Sequence, residues 1–246
     1  MTLRTTALSV VLQHPALWRG SECASVNLPS LPTGSPALDA LLPGGGWPRG
    51  ALTELLPTCL GVGEMRLILP ALQRLTQAGQ WVVLIDPPHI PYAPALAAAG
   101  VRLARLAVVR PSQPPDSLWA AEQALRAGCC GAVVCWPITR DQRVLRRLQL
   151  AAEAGKSWGV LYRPAALVTC PSPAPLRIAI TTVDRRIAVT ILKRRGGSAP
   201  APLYLSPDKP APWPDGPPTV KAIDATPSPR SSPSADGRGA ERNEQR

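Results

Sequence analysis

Leu31–Leu69, LPTGSPALDALLPGGGWPRGALTELLPTCLGVGEMRLIL, decides how the chain is read. Thr33–Leu42 predicts a loop and a short helix, with Leu38, Leu41 and Leu42 on one face and Asp39 pointing away. Gly44, Gly45, Gly46, Pro48, Arg49 and Gly50 can only be turn. Ala51–Leu56 is an apolar strand carrying one Glu, and it runs into a glycine-containing loop and a helix over 64–79 that Pro70 kinks or delays. Strand, glycine loop and helix in that order are the setting of a phosphate-binding loop. Such a loop ends in Gly-Lys-Ser/Thr, whose ammonium neutralises phosphate and whose hydroxyl holds magnesium. Here Gly61 and Gly63 lead to Glu64 and Met65. Two like charges a few ångströms apart repel by about 4 kcal/mol at an intermediate dielectric, so the loop is expected to be degenerate and its pocket empty or plugged.

Working outward, Trp81–Asp86, Ala132–Cys135 and Ser157–Tyr162 are continuous apolar runs of strand length, the pattern of parallel strands buried on both faces. Leu106–Val109 adds another strand, and a helix capped by Asp116 or Ser117 runs to Gly128. Leu176–Thr182 and Ile187–Leu192 flank the turn Val183-Asp184-Arg185-Arg186 and predict a hairpin, with a further strand at Pro202–Leu205. The fold class is therefore α/β, a mostly parallel central sheet flanked by helices with a C-terminal β-hairpin. Residues 1–30 read as a helical segment, 31–206 as the core domain, and 207–246 as a disordered tail rich in Pro, Ser and Arg.

The 45% hydrophobic content supports a core, and no apolar run reaches membrane-span length. The first residues lack a signal-peptide pattern, so a cytoplasmic location is expected. Cys23, Cys59, Cys129, Cys130, Cys135 and Cys170 include no Cys-x-x-Cys, and with only His14 and His89 as histidines they read as reduced core residues. No metal or cofactor is expected. The formal charge of +11 comes almost entirely from arginine and suggests a polyanion or an acidic protein as partner, or else a solvated arginine-rich surface.

Two basic segments stand out. Over Thr139–Ala154, Val144, Leu145, Leu148 and Ala152 form a buried stripe while Arg140, Arg143, Arg146 and Arg147 project outward, to DNA, to a partner or to solvent. Lys193, Arg194 and Arg195 follow the hairpin, where they could meet phosphates or acidic side chains, or serve as a solubilising strand end.

Thr33-Gly34-Ser35-Pro36-Ala37-Leu38-Asp39, Gly44-Gly45-Gly46-Trp47-Pro48-Arg49-Gly50 and Glu54 resemble the opening of the RecA recombinase core. With His14-Pro15-Ala16-Leu17-Trp18-Arg19-Gly20 ahead of them, the chain resembles the ImuA family, RecA-like and SulA-related, over roughly residues 12–206. The resemblance implies a RecA-like core whose hydrolytic positions are lost, at Glu64 and Met65, at Pro88 where an acid would activate water, and at Trp136 where an acid would hold magnesium. It implies no enzyme. The expected role is an adaptor in the SOS response and error-prone translesion DNA synthesis, acting with ImuB, an error-prone DNA polymerase and RecA. The alternative is a SulA-like inhibitor of cell division that binds a tubulin-like division protein.

Overall fold

Strands form where the sequence is continuously apolar, and helices where the apolar residues recur every three or four positions. The computed structural model describes residues 29–61, 63–184, 186–195 and 201–205. The tail expected at 207–246 lies outside these residues, as does the helix expected at the N-terminus. Ser30, the last residue of that expected helical segment, opens a strand instead.

The elements in chain order are β1 (Ser30–Leu31), α1 (Pro36–Asp39), β2 (Trp47–Pro48), β3 (Ala51–Pro57), α2 (Leu69–Gln77) and β4 (Trp81–Ile85). Next come α3 (Ala93–Ala98), β5 (Leu106–Val109), α4 (Pro114–Arg126), β6 (Cys130–Cys135), α5 (Gln142–Gly155) and β7 (Trp158–Tyr162). The last are β8 (Leu176–Val183), β9 (Arg186–Lys193) and β10 (Leu203–Leu205). The main sheet has eight strands in the order β10-β9-β8-β3-β7-β6-β4-β5. From β8 to β5 neighbouring strands run parallel, while β9 and β10 are antiparallel additions. A mostly parallel sheet ending in a hairpin is thus what the residues build.

The two sheet faces carry separate apolar clusters. Leu55, Val82, Leu84, Val134 and Val160 face α2 and α3, where Leu72, Leu75 and Leu96 meet them. Val83, Ile85, Val133, Cys135 and Leu161 face the other way, against Leu125 of α4 and Leu145 and Leu148 of α5. Successive strand residues alternate between faces, so burial on both sides demands an unbroken apolar run. Ile178, Ile180, Ile187, Val189 and Ile191 extend the first cluster, as the alternation in the hairpin predicts. Trp47 is wholly buried and stacks on Trp158 at 5.3 Å, so the Gly-Gly-Gly-Trp-Pro-Arg-Gly turn is anchored to the core.

Several local expectations change. The helix expected over 64–79 divides into a 3-10 turn, Glu64–Leu67, and α2, because Pro70 has no N–H to donate and fits only a helix's first turn. Gly79, at φ 80°, ends α2 in the left-handed region. Helix α4 starts at Pro114 after Gln113, not at Asp116 or Ser117. Asp39 does not point away but accepts the Thr33 N–H at 2.8 Å, closing the loop before α1. Val144 is only half-buried, and Gln149 and Ala151 join the covered face of α5. The cysteines among the described residues are free thiols but not all core residues: Cys130 and Cys135 are buried, Cys170 is half-buried, and Cys59 and Cys129 are exposed, while Cys23 lies outside the described residues.

Helices α4 and α5 pack backbone to backbone at Gly155, where an added Cβ would stand 1.9 Å from the Leu125 carbonyl oxygen. Gly155→Ala should therefore force the helices apart and cost about 1–3 kcal/mol, read as a lower urea midpoint with an unchanged slope.

Candidate functional site

The one carboxylate in β3 organises the connections around the strands. Glu54 is fully buried, and its two oxygens take different guanidiniums: Oε1 accepts from Arg163 Nη1 at 2.9 Å and Oε2 from Arg177 Nε at 2.8 Å. Ser172 Oγ also donates to Oε1. Arg177 spends its other N–H groups on the carbonyls of Val168 and Leu167, at 3.1 and 3.0 Å, and Arg163 Nη2 donates to the Thr139 carbonyl. One side chain in β3 therefore holds both the β6–α5 and the β7–β8 connections. The sequence signal was a lone acid in a strand buried on both faces, which must find a cationic partner.

The loop after β3, which the sequence reads as a degenerate phosphate-binding loop, carries Gly61, Gly63, Glu64 and Met65. Gly63, at φ 92°, turns the chain into the 3-10 segment. Glu64 is buried, and its Oε1 accepts the Gly61 backbone N–H at 3.2 Å. A phosphate-binding loop offers such N–H groups to its anion; here the chain's own carboxylate takes one. Glu64 Oε2 is buried with no hydrogen-bond partner, an acceptor that repels a further anion. Met65 packs against the core instead of facing a ligand. Tyr162 donates its hydroxyl to the Glu64 carbonyl at 3.1 Å, and its ring stacks on Trp136 at 5.3 Å. Trp136 thus joins Glu64 through Tyr162, filling space with aromatic surface. Pro88 lies exposed beyond β4, near Asp86, whose carboxylate accepts from Ser117 Oγ of α4 at 3.0 Å. Asp86 ties β4 to α4, not to the helix that follows it.

Beyond this loop the strand ends carry exposed apolar groups, which sequence reasoning missed. Ile90 after β4 is 85% exposed and Ile138 after β6 is 86% exposed. The register pairs Ile85 with Cys135, so both follow neighbouring parallel strands at one sheet edge. Arg140, Arg143 and Arg146 are exposed just past Ile138, and Asp141 caps α5 by accepting the Arg143 N–H at 2.8 Å. Arg147 differs from them: it pairs with Glu122 of α4, which also binds Arg126 at 2.8 Å. In the second basic cluster two side chains bond to backbone carbonyls of the chain itself. Lys193 Nζ donates to the Ser172 carbonyl at 2.8 Å and Arg194 Nη1 to the Leu41 carbonyl, leaving Arg195 exposed.

Residues 59–159 match the family described as cell division inhibitor SulA. Over 112 residues the chain is 35% identical to the cell division inhibitor SulA of Edwardsiella piscicida, covering 43% of this chain and 66% of that protein. Over 101 residues it is 32% identical to the SulA of Pectobacterium carotovorum subsp. carotovorum, covering 40% and 59%. The chain thus spans 59–66% of the length of these relatives. The crystal structure of SulA from Pseudomonas aeruginosa is 27% identical, with 46% of this chain and 97% of that one covered and a TM-score of 0.39. The matched segment holds α2 to α5 and the arginine face, and leaves out Glu54, Arg163 and Arg177. The relatives named here are SulA proteins, so the likeness to ImuA rests on the quoted motifs alone.

Glu54→Ala would leave two guanidiniums buried without counter-charge and should cost about 3–5 kcal/mol in urea unfolding, with Glu54→Gln recovering only part. Alkaline pH should act on the same core. Burial raises the Cys135 thiol from an ordinary 9.0 to about 12, and Cys130 likewise with help from Cys129. Burial, and then the Glu64 carboxylate, lifts the Tyr162 phenol well above its ordinary 10.0. The unfolded chain gives up these protons first, so stability is full below about pH 9 and falls as pH climbs toward 12. Lys193, held below its ordinary 10.5 by burial and by Arg177, acts in the opposite sense just beneath that value. Thermal midpoints from pH 8 to roughly 11 should decline, and Cys135→Ala should flatten the decline.

Proposed function

We propose that this chain is a non-catalytic, SulA-like regulator that acts by binding another protein, with a tubulin-like cell division protein as its first partner. The observation that carries this is the match to SulA over residues 59–159. The site's chemistry supports a binding role: Glu64 takes a loop N–H that an anionic nucleotide would need, and Tyr162 and Trp136 pack beside it. The face offered for binding is the sheet edge and the start of α5, where Ile138 lies just before Arg140, Arg143 and Arg146 and Ile90 follows the neighbouring strand. Exposed apolar side chains beside unpaired guanidiniums suit an acidic protein surface, the aliphatic groups supplying buried area and the arginines orientation. In the cell this is a response to DNA damage, of the SOS kind, carried out in the cytoplasm.

A second reading is favoured by what lies outside the matched segment. β1, β2, β3, β8, β9 and β10 fall mostly or wholly beyond it, and they contain the Trp47 turn and the Glu54 hub. Residues 44–50 and Glu54 are among those that, with residues 14–20 ahead of them, carry the resemblance to ImuA, and they support an adaptor of translesion synthesis that engages RecA, ImuB and an error-prone DNA polymerase.

Purified full-length chain, immobilised and offered the division protein, RecA and ImuB in parallel, separates the readings. Retention of the division protein alone is expected from the first, and retention of RecA or ImuB alone would replace it with the second. Arg140→Glu, Arg143→Glu and Arg146→Glu combined should weaken capture at least tenfold with an unchanged thermal midpoint. Arg147→Glu should also lower the midpoint, because it loses Glu122. Capture unaltered by the triple reversal at low salt would move the interface elsewhere.

A further inference from the structure

At the opposite, amino-terminal edge of the sheet is a cavity of about 190 Å³ between the turn before β3, the start of β8 and the chain leaving β9. It lies away from the degenerate loop and from the arginine face of α5. We infer that this cavity is a binding site for a carboxylate-bearing, apolar peptide segment of a partner protein.

Charge is the first ground. Three arginines line the cavity, Arg49, Arg194 and Arg195, against a single acidic residue, Glu153. Glu153 already accepts from Gln149 Nε2 at 2.8 Å. None of the three arginines takes part in the ion pairs among the described residues. Among the described residues, the Arg49 side chain donates to Gln80 Oε1 at 3.5 Å. Arg194 gives Nη1 to a neutral carbonyl, and its Nε is buried with no hydrogen-bond partner. Three arginines against one acidic residue leave the lining cationic, the setting for an anion.

The walls are the second ground, and they choose between anions. Pro43, Pro48, Pro175 and Leu176 line the same cavity. A phosphodiester strand would leave this apolar surface uncovered, whereas a peptide can bury an aliphatic side chain on it and place a neighbouring carboxylate on the arginine fork. Rigid proline walls lose little freedom on binding, which favours recognition of a short segment.

The experiment is fluorescence anisotropy on the full chain with a labelled hexapeptide, Leu-Glu-Asp-Leu-Glu-Leu, and its amide twin, Leu-Gln-Asn-Leu-Gln-Leu. The acidic peptide is expected to bind and the twin to bind at least tenfold more weakly. Arg49→Gln with Arg195→Gln, two positions outside the packing role of Arg194, should weaken the acidic peptide by about tenfold with an unchanged thermal midpoint. Equal affinity for the two peptides, no binding of either, or indifference to the double substitution would overturn the inference. So would displacement of the acidic peptide by a single-stranded oligonucleotide whose own affinity falls with the same substitutions, since the site would then belong to phosphate. The twin-peptide comparison uses the unaltered chain and stands even if the substituted one fails to fold.

Discussion

A carboxylate in the centre of a sheet covered on both faces constrains everything around it. Glu54 loses its hydration on folding, and the cost is offset only if both oxygens find charged or strong donors. Arg163 and Arg177 supply them from positions 109 and 123 residues further along the chain. Their remaining N–H groups must be satisfied in turn, and they settle on carbonyls of the two loops that leave β6 and β7. The strand order, the path of both loops and the pairing of Glu54 with Arg177 across β3 and β8 are thus linked through one acid. A slip of one residue in that pairing would turn the Arg177 side chain to the other face of the sheet.

The parts legible in the sequence are those whose cause is local. Apolar runs marked β3, β4, β6 and β7, because a strand buried twice has no room for alternation. Pro70 and Gly79 marked where α2 could begin and must end, and the two-residue turn after Val183 marked the hairpin. The parts not legible depend on partners far away along the chain. Glu64 read as a charge facing an absent phosphate, yet it folds back on the Gly61 N–H, a bond that only the loop's own path reveals. Ser117 read as a helix cap, but Asp86, 31 residues earlier, claims its hydroxyl. The spacing of residues along the chain does not fix which strands become neighbours, and these bonds follow from that order.

The same limit governs the arginines. A net charge of +11 counts guanidiniums without sorting them. The fold does sort them: Arg163 and Arg177 neutralise Glu54, and Arg147 and Arg126 share Glu122. Those residues serve the molecule's interior or its helix pair, and their charge says nothing about a partner. Arg140, Arg143 and Arg146 on one edge, and Arg49 and Arg195 on the other, are two of the places among the described residues where positive charge is left over. Each group stands beside uncovered apolar surface, isoleucines in the first case and prolines in the second. Nucleic acid would use the charge at either place and leave that surface wet, whereas an acidic protein would use both. The coincidence of leftover charge with apolar side chains, at two opposite edges of one sheet, therefore favours protein partners over polynucleotide.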